Sequence, residues 1–234
     1  MKFPEKIRFG VVILLSLFFF IGCSKDDASP DEDNDLGGRG GVTMTVDGQK
    51  LNFKFTTLMT EYQEAIEEGE EDFEVMMMAS NVDFEDEGKV KNSENLYIGL
   101  TLPIEKFRNP KGTYNIGFED NQPVQVLLYK NITNADNSLV VYASNGFGGD
   151  KDKSYGKLTI TGYKIGKQDF GLEGFLPEEE DPGEGYTELT GSFEVVLHKA
   201  YESEENEDAP STIELNASAY TFKQFSFNLF DFFL

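Results

Sequence analysis

One cysteine and one histidine are all this chain offers to thiol or imidazole chemistry. Cys23 follows the apolar run Phe19-Phe20-Ile21-Gly22 and precedes the small and acidic residues Ser24-Lys25-Asp26-Asp27. It has no second thiol for a disulfide and belongs to no periodic core pattern, which leaves lipid attachment as the chemistry that suits it. His198 is the natural general base by residue type. It stands between Leu197 and Lys199, on the opposite strand parity from Phe193, Val195 and Leu197, so it is expected to face solvent. With Cys23 given to lipid, no thiol nucleophile remains. No Gly-x-Ser-x-Gly elbow, His-Glu-x-x-His pair or phosphate-binding glycine loop occurs. No residue is assigned a catalytic role.

Oxygen donors and aromatic rings are the other chemistry on offer. The chain has 43 Asp and Glu residues, gathered where loops are expected and read there as solvated surface. A glycan hydrolase needs only two carboxylates facing each other across a cleft, so it stands as the rival reading, without a motif to support it. Hard oxygen ligands on loops suit calcium. The calcium candidates are Asp150 and Asp152 in a glycine-rich loop, and Glu178, Glu179, Glu180 and Asp181 in an acidic one. Asp31-x-Asp33-x-Asp35 begins like a calcium loop, but Leu36 stands where glycine is required, and the stretch reads as linker. No other cofactor is expected. Tryptophan is absent, and the candidate aromatic platform for a glycan is Tyr142, Phe147 and Tyr155, which flank one loop. Ordinary core and rim packing is the alternative use of those rings.

The N-terminus sets the compartment. Lys2, Lys6 and Arg8 lead into the apolar stretch Phe9 to Ile21, which is in signal-peptide range and short of the about 20 residues a bilayer span requires. Phe20, Ile21 and Gly22 ahead of Cys23 resemble the end of a bacterial lipoprotein signal. That resemblance implies cleavage before Cys23, a diacylglyceryl thioether on its sulfur and an N-acyl chain such as palmitate. Two or more acyl chains make membrane attachment lasting, where one holds only marginally. Ser24, Lys25, Asp26 and Asp27 resemble the export signal of Bacteroidota surface lipoproteins, which implies an outer-membrane protein facing the cell surface. Residues 1–22 are therefore read as signal peptide, 23–41 as a flexible acidic and glycine-rich tether, and 42–234 as one domain.

The formal net charge is −23. Removing residues 1–22 takes away three positive charges and one negative, leaving about −25. Such a chain is repelled by nucleic acid and by anionic head groups, which excludes nucleic-acid binding.

The rest of the chain reads as short alternating strands with turn signals every 8–12 residues, which predicts an all-β fold. An antiparallel β-sandwich is expected, with a lipocalin-like closed barrel as the alternative. The firmest element is a hairpin. Val42, Met44 and Val46 alternate up to Asp47-Gly48, and Leu51, Phe53 and Phe55 alternate after it. A two-residue turn pairs Val46 with Gln49, Met44 with Leu51 and Val42 with Phe53, so all the apolar residues share a face. Further strands are expected at Phe73 to Ser80, Leu96 to Leu102, Gly112 to Ile116, Val124 to Tyr129, Leu139 to Ala143, Phe193 to Leu197 and Ile213 to Ala219. The stretch Glu61 to Asp72 is expected as an exposed loop because its like charges repel in a helix. A hairpin around Gly166 joins Leu158 and Ile160 to Phe170 and Leu172. The phenylalanine-rich end, Phe222 to Leu234, is expected to be a last strand pinned into the core.

The run as a whole resembles small Bacteroidota lipoproteins whose activity is not established. The residues that carry this are Thr45-Val46-Asp47-Gly48-Gln49, Gly112-Thr113-Tyr114 and Thr190-Gly191-Ser192-Phe193. The resemblance implies a β-rich fold and an envelope location. Together these readings predict a lipid-anchored binding or structural module without catalysis, held to the membrane through acyl chains on Cys23, with a glycan or a protein as its partner.

Overall fold

The hairpin forms as its turn chemistry dictates. Asp47 and Gly48 both have positive φ, 48° and 79°, the signature of a type I′ turn whose twist matches that of the flanking strands. β1 (Gly41–Val46) and β2 (Gln49–Phe53) pair in the expected register, Val46 with Gln49, Met44 with Leu51 and Val42 with Phe53. The computed structural model describes residues 41–53, 55–84, 90–118, 122–132, 138–145, 150, 152–168, 183–202 and 209–224.

Nine further strands follow among these residues: β3 (Phe55–Thr60), β4 (Asp72–Phe84), β5 (Val90–Pro103), β6 (Gly112–Ile116), β7 (Val124–Ile132), β8 (Ser138–Ala143), β9 (Gly156–Lys167), β10 (Glu184–Glu202) and β11 (Thr212–Lys223). One helix, α1 (Tyr62–Glu68), and a 3₁₀ turn at Ile104–Lys106 interrupt them. The all-β class is the observed one. The strands make one sheet in the order β2-β1-β11-β10-β9-β6-β7-β5-β4-β3, with β8 pairing both β10 and β7. Every pairing is antiparallel except one parallel bridge, Ile116 to Val124.

The two ends of this path, β2 and β3, are separated by a single residue of chain. The sheet is therefore folded over, with β2-β1-β11-β10-β9-β6 as one layer and β3-β4-β5-β7-β8 as the other. Met44, Leu158, Val195 and Leu215 from the first layer share one core with Leu58, Met77, Ile98 and Val126 from the second. The layers pack as a sandwich does, joined at this seam by the β6–β7 bridge and by the end of β10, which leaves the first layer to pair with β8 from His198 to Glu202. At the fold between β2 and β3 the inward positions change parity, from Phe53 to Thr56, Leu58 and Thr60.

A sheet folded this way leaves strand edges facing the interior, where each unpaired N–H or C=O is costly. The buried polar side chains, Thr56, Thr60, Ser144 and Gln168, serve those edges. Gln168 accepts from Thr60 N at 2.9 Å and donates to Thr60 O at 2.7 Å, standing in for a neighbouring strand. Thr60 Oγ1 accepts from Tyr186 N, and Thr56 Oγ1 from Lys223 N. At the other seam, Ser144 Oγ accepts from Val126 N and donates to Gly117 O.

Three local expectations are corrected. Tyr62–Glu68 is a helix, ended by Gly69 at φ 73° with Glu70 N bonded to Ala65 O. Like-charge repulsion costs a few tenths of a kcal/mol per pair. Burying Ala65 and stacking Tyr62 on Phe107 at a 3.6 Å centroid separation outweigh it. β9 runs straight through Gly166, which pairs with Gly185 of β10, so there is no hairpin there. Phe170 and Leu172 lie outside the described residues, as do residues 225–234. β11 carries one extra residue relative to both β1 and β10, between Asn216 and Tyr220. This bulge moves burial from Ile213, Leu215 and Ala217 to Tyr220 and Phe222 and leaves Ala219 exposed.

Candidate functional site

Of the residues that the sequence singles out, Cys23, Ser24, Lys25, Asp26, Asp27, Phe147, Glu178, Glu179, Glu180 and Asp181 lie outside the described residues. The others can be placed. Asp150 is committed to its own turn: its carboxylate accepts from Asp152 N at 3.1 Å and pairs with Lys153 Nζ at 3.1 Å. The Asp152 amide and then the Lys153 ammonium hold the Asp150 carboxyl below the usual carboxylate range. No group of three or more His, Cys, Asp or Glu side chains fit to hold a metal ion occurs among the described residues.

Tyr142 points inward and is 2 % exposed. Tyr155 packs against the core, sets its ring edge-on to His198 at 4.7 Å and bonds its hydroxyl to the Asp150 backbone. Tyr142 and Tyr155 therefore do not present an open aromatic platform, because strand parity buries the first and its own turn occupies the second. His198 is on the outward parity as expected, but it does not stand free in solvent. Tyr155 covers it, and its Nε2 is buried without a hydrogen-bond partner among the described residues. Replacing it by phenylalanine keeps the ring contact and removes an unpaired nitrogen. His198→Phe is therefore expected to gain about 0.5–1 kcal/mol in urea unfolding; a loss of stability would mean that the nitrogen is paired.

Other tyrosines hold the fold together. Tyr186, Tyr163 and Tyr114 donate their hydroxyls to the carbonyls of Phe107, Arg108 and Pro110. Tyr62, Phe73, Phe107 and Tyr186 form a ring cluster that closes the α1 end of the core. Burial raises the Tyr186 and Tyr220 hydroxyls above the ordinary tyrosine range, so both stay neutral donors.

Two surface features remain. The first is a shallow groove of about 300 Å³ beside the β11 bulge, lined by Thr43, Met44, Thr45, Lys50, Asn216 and Ser218. It offers hydroxyls, an amide and one ammonium, with neither a carboxylate pair nor a ring. The second is the outer face of the β4-β5-β7-β8-β10 wall. There the ladders align Ser80, Asn95, Tyr129, Val141 and Tyr201 in one row across five strands. Tyr129 is 37 % exposed and Tyr201 53 %. In the next row stand Met78, Tyr97 and Leu127, all half-buried, with the Tyr97 ring lying over Gly99.

Strand alternation does not mark this row, because Tyr129 stands on the outward parity of its strand and Tyr201 lies beyond the strand expected at Phe193 to Leu197, whereas β10 runs on to Glu202. A signal was present: Val126-Leu127-Leu128-Tyr129 is apolar on both parities, and so is Met76-Met77-Met78. Set against protein-family models, curated proteins and solved structures, the chain matches none of them.

Proposed function

We propose that this protein is a lipid-anchored module of the bacterial envelope that binds a partner on the outside of its sheet and carries out no catalysis. The row of Tyr129, Val141 and Tyr201 is the observation that carries the binding half of the reading. Soluble surfaces rarely align large apolar side chains across adjacent strands without something to cover them. The non-catalytic half rests on where polar chemistry is spent. Thr56, Thr60, Ser144 and Gln168 close seams, Asp150 closes a turn, and the groove lacks paired carboxylates. The anchoring half rests on Cys23, which precedes the first strand at Gly41 by 18 residues, a reach of at most roughly 60 Å when fully extended. Among the described residues no helix is long and apolar enough to cross a membrane, and acyl chains would supply the attachment.

Cell fractionation tests the anchoring. The wild type is expected in the membrane fraction, labelled by palmitate, and the Cys23→Ala variant unlabelled and soluble. A membrane-bound, unlabelled wild type would end the lipoprotein reading. Replacing Lys25, Asp26 and Asp27 by alanine is expected to keep the label and remove the protein from the reach of protease added to intact cells.

A further inference from the structure

We infer that the outer row on β4, β5, β7, β8 and β10 binds a neutral glycan chain lying across the strands, stacked on Tyr129 and Tyr201. This inference deepens the binding reading above and rests on it. Four observations lead to it.

The first is the state of the two rings. Tyr62, Tyr155, Tyr163, Tyr186 and Tyr220 all pack against other rings, and Tyr114 donates its hydroxyl to a carbonyl. Neither Tyr129 nor Tyr201 has a ring contact or a hydroxyl bond among the described residues. Both are exposed large side chains, Tyr129 less so than Tyr201.

The second is a bulge that aims Tyr201. β10 carries one extra residue against β8, so that His198 faces Ala143 and Tyr201 faces Val141. Without it, strand alternation from the outward His198 would turn residue 201 inward. Re-aiming a side chain is what bulges do, and here the outcome is a second tyrosine in line with the first.

The third is spacing. Tyr129 on β7 and Tyr201 on β10 are two inter-strand steps apart, roughly 10 Å, with the low side chain of Val141 between them. The two exposed rings stand in line across the strands, with the half-buried Met78, Tyr97 and Leu127 lying lower beside them, a layout that suits an extended chain. At the far end of the same row Ser80 Oγ donates to Asn95 Oδ1 at 2.7 Å. That bond leaves the Asn95 amide N–H groups, which have no partner among the described residues, for sugar hydroxyls. Aromatic faces meeting sugar C–H groups, with an amide meeting hydroxyls, is the chemistry of pyranose recognition.

The fourth is charge. A chain of net charge −23 repels polyanions and a second copy of itself, and a neutral polysaccharide meets no such barrier.

The test is native gel electrophoresis of the full-length lipoprotein, purified in detergent, through gels cast with starch, xylan, galactomannan or mixed-linkage β-glucan. Alginate serves as the anionic control. At least one neutral polymer is expected to retard the protein, and alginate is not. In the Tyr129→Ala/Tyr201→Ala variant the affinity is expected to fall by at least about tenfold. The Tyr155→Phe variant should bind as wild type. Both replaced tyrosines are exposed, and circular dichroism checks that the double variant remains folded. Three outcomes would overturn the proposal: no retardation by any neutral polymer, retardation undiminished in the folded double variant, or retardation by alginate alone. A benzoylphenylalanine at position 201 that cross-links to a protein in cells, with no retardation in any gel, would assign the face to a protein instead. None of these outcomes bears on the palmitate label, so failure here and failure of the anchoring reading are distinguishable.

Discussion

The Gly191→Ala variant is expected to lose about 3–5 kcal/mol, a large share of a domain's typical stability. Gly191 lies in β10 where β9 and β11 crowd it from both sides. A β-carbon there would sit 1.8 Å from Thr159 O and 2.7 Å from the Tyr220 hydroxyl. The oxygen of Thr159 belongs to the backbone and cannot turn aside. Tyr220 is itself fixed, donating to that same oxygen at 3.2 Å across the glycine. Accommodating one methyl group thus means opening the β9–β10 ladder or expelling a buried tyrosine. Gly48→Ala is the useful comparison. Its φ of 79° penalises any side chain, yet no atom lies within 4 Å of the added carbon. That variant should lose only about 1 kcal/mol. Urea unfolding separates the two. A Gly191→Ala midpoint as close to wild type as that of Gly48→Ala would mean that the three strands do not approach so closely.

The second large effect is expected at Gln168. Its amide satisfies both backbone groups of Thr60 at an edge of β3 that no strand covers. Gln168→Leu leaves a buried N–H and a buried C=O unpaired, at an expected cost of about 2–4 kcal/mol. Gln168→Glu is more informative because it depends on pH. A neutral carboxyl can still donate to Thr60 O and accept from Thr60 N. A charged one has no donor to offer and is buried against a carbonyl oxygen. Both burial and that carbonyl favour the protonated form, so the carboxyl of the folded variant titrates higher than that of the unfolded chain. Stability is then full below the unfolded value and is lost as pH rises through the raised folded one. Melting temperatures of Gln168→Glu should therefore increase from neutral toward mildly acidic pH relative to wild type. A flat difference across that range would mean that Gln168 does not bridge Thr60.

These two positions also mark where sequence reasoning stops. The hairpin at Asp47-Gly48 was readable to the residue, because turn type, register and apolar alternation all follow from local chemistry. So were the inward faces of β4 and β5, where Phe73, Val75, Met77 and Ala79 meet Leu96, Ile98, Leu100 and Leu102 on one buried side. Local patterning cannot report what distant strands do to each other. Gln168 and Thr60 lie 108 residues apart, and nothing near either marks them as partners. The β11 bulge is set by both of its neighbours, so Ala219 looked inward from its own alternation. Tyr62–Glu68 looked like solvated loop because the ring that stabilises it, Phe107, comes much later in the chain.

The outer face was missed for a related reason. Alternation identifies the side of a strand that is buried, and the opposite side is then assumed to be ordinary surface. In β7 that side carries Tyr129, and Tyr201 lies past the strand expected at Phe193 to Leu197, on an extension of β10 that pairs with β8; Tyr142 belongs to the core. Where the free aromatic surface lies is thus the point on which the functional reading turns. Tyrosine iodination of the purified, folded protein, mapped by peptide mass spectrometry, measures it most directly. Tyr201 and Tyr129 are expected to label first, with Tyr142, Tyr186 and Tyr220 unlabelled until the protein unfolds. Early labelling of Tyr142, with Tyr129 and Tyr201 protected, would contradict the assignment of that face.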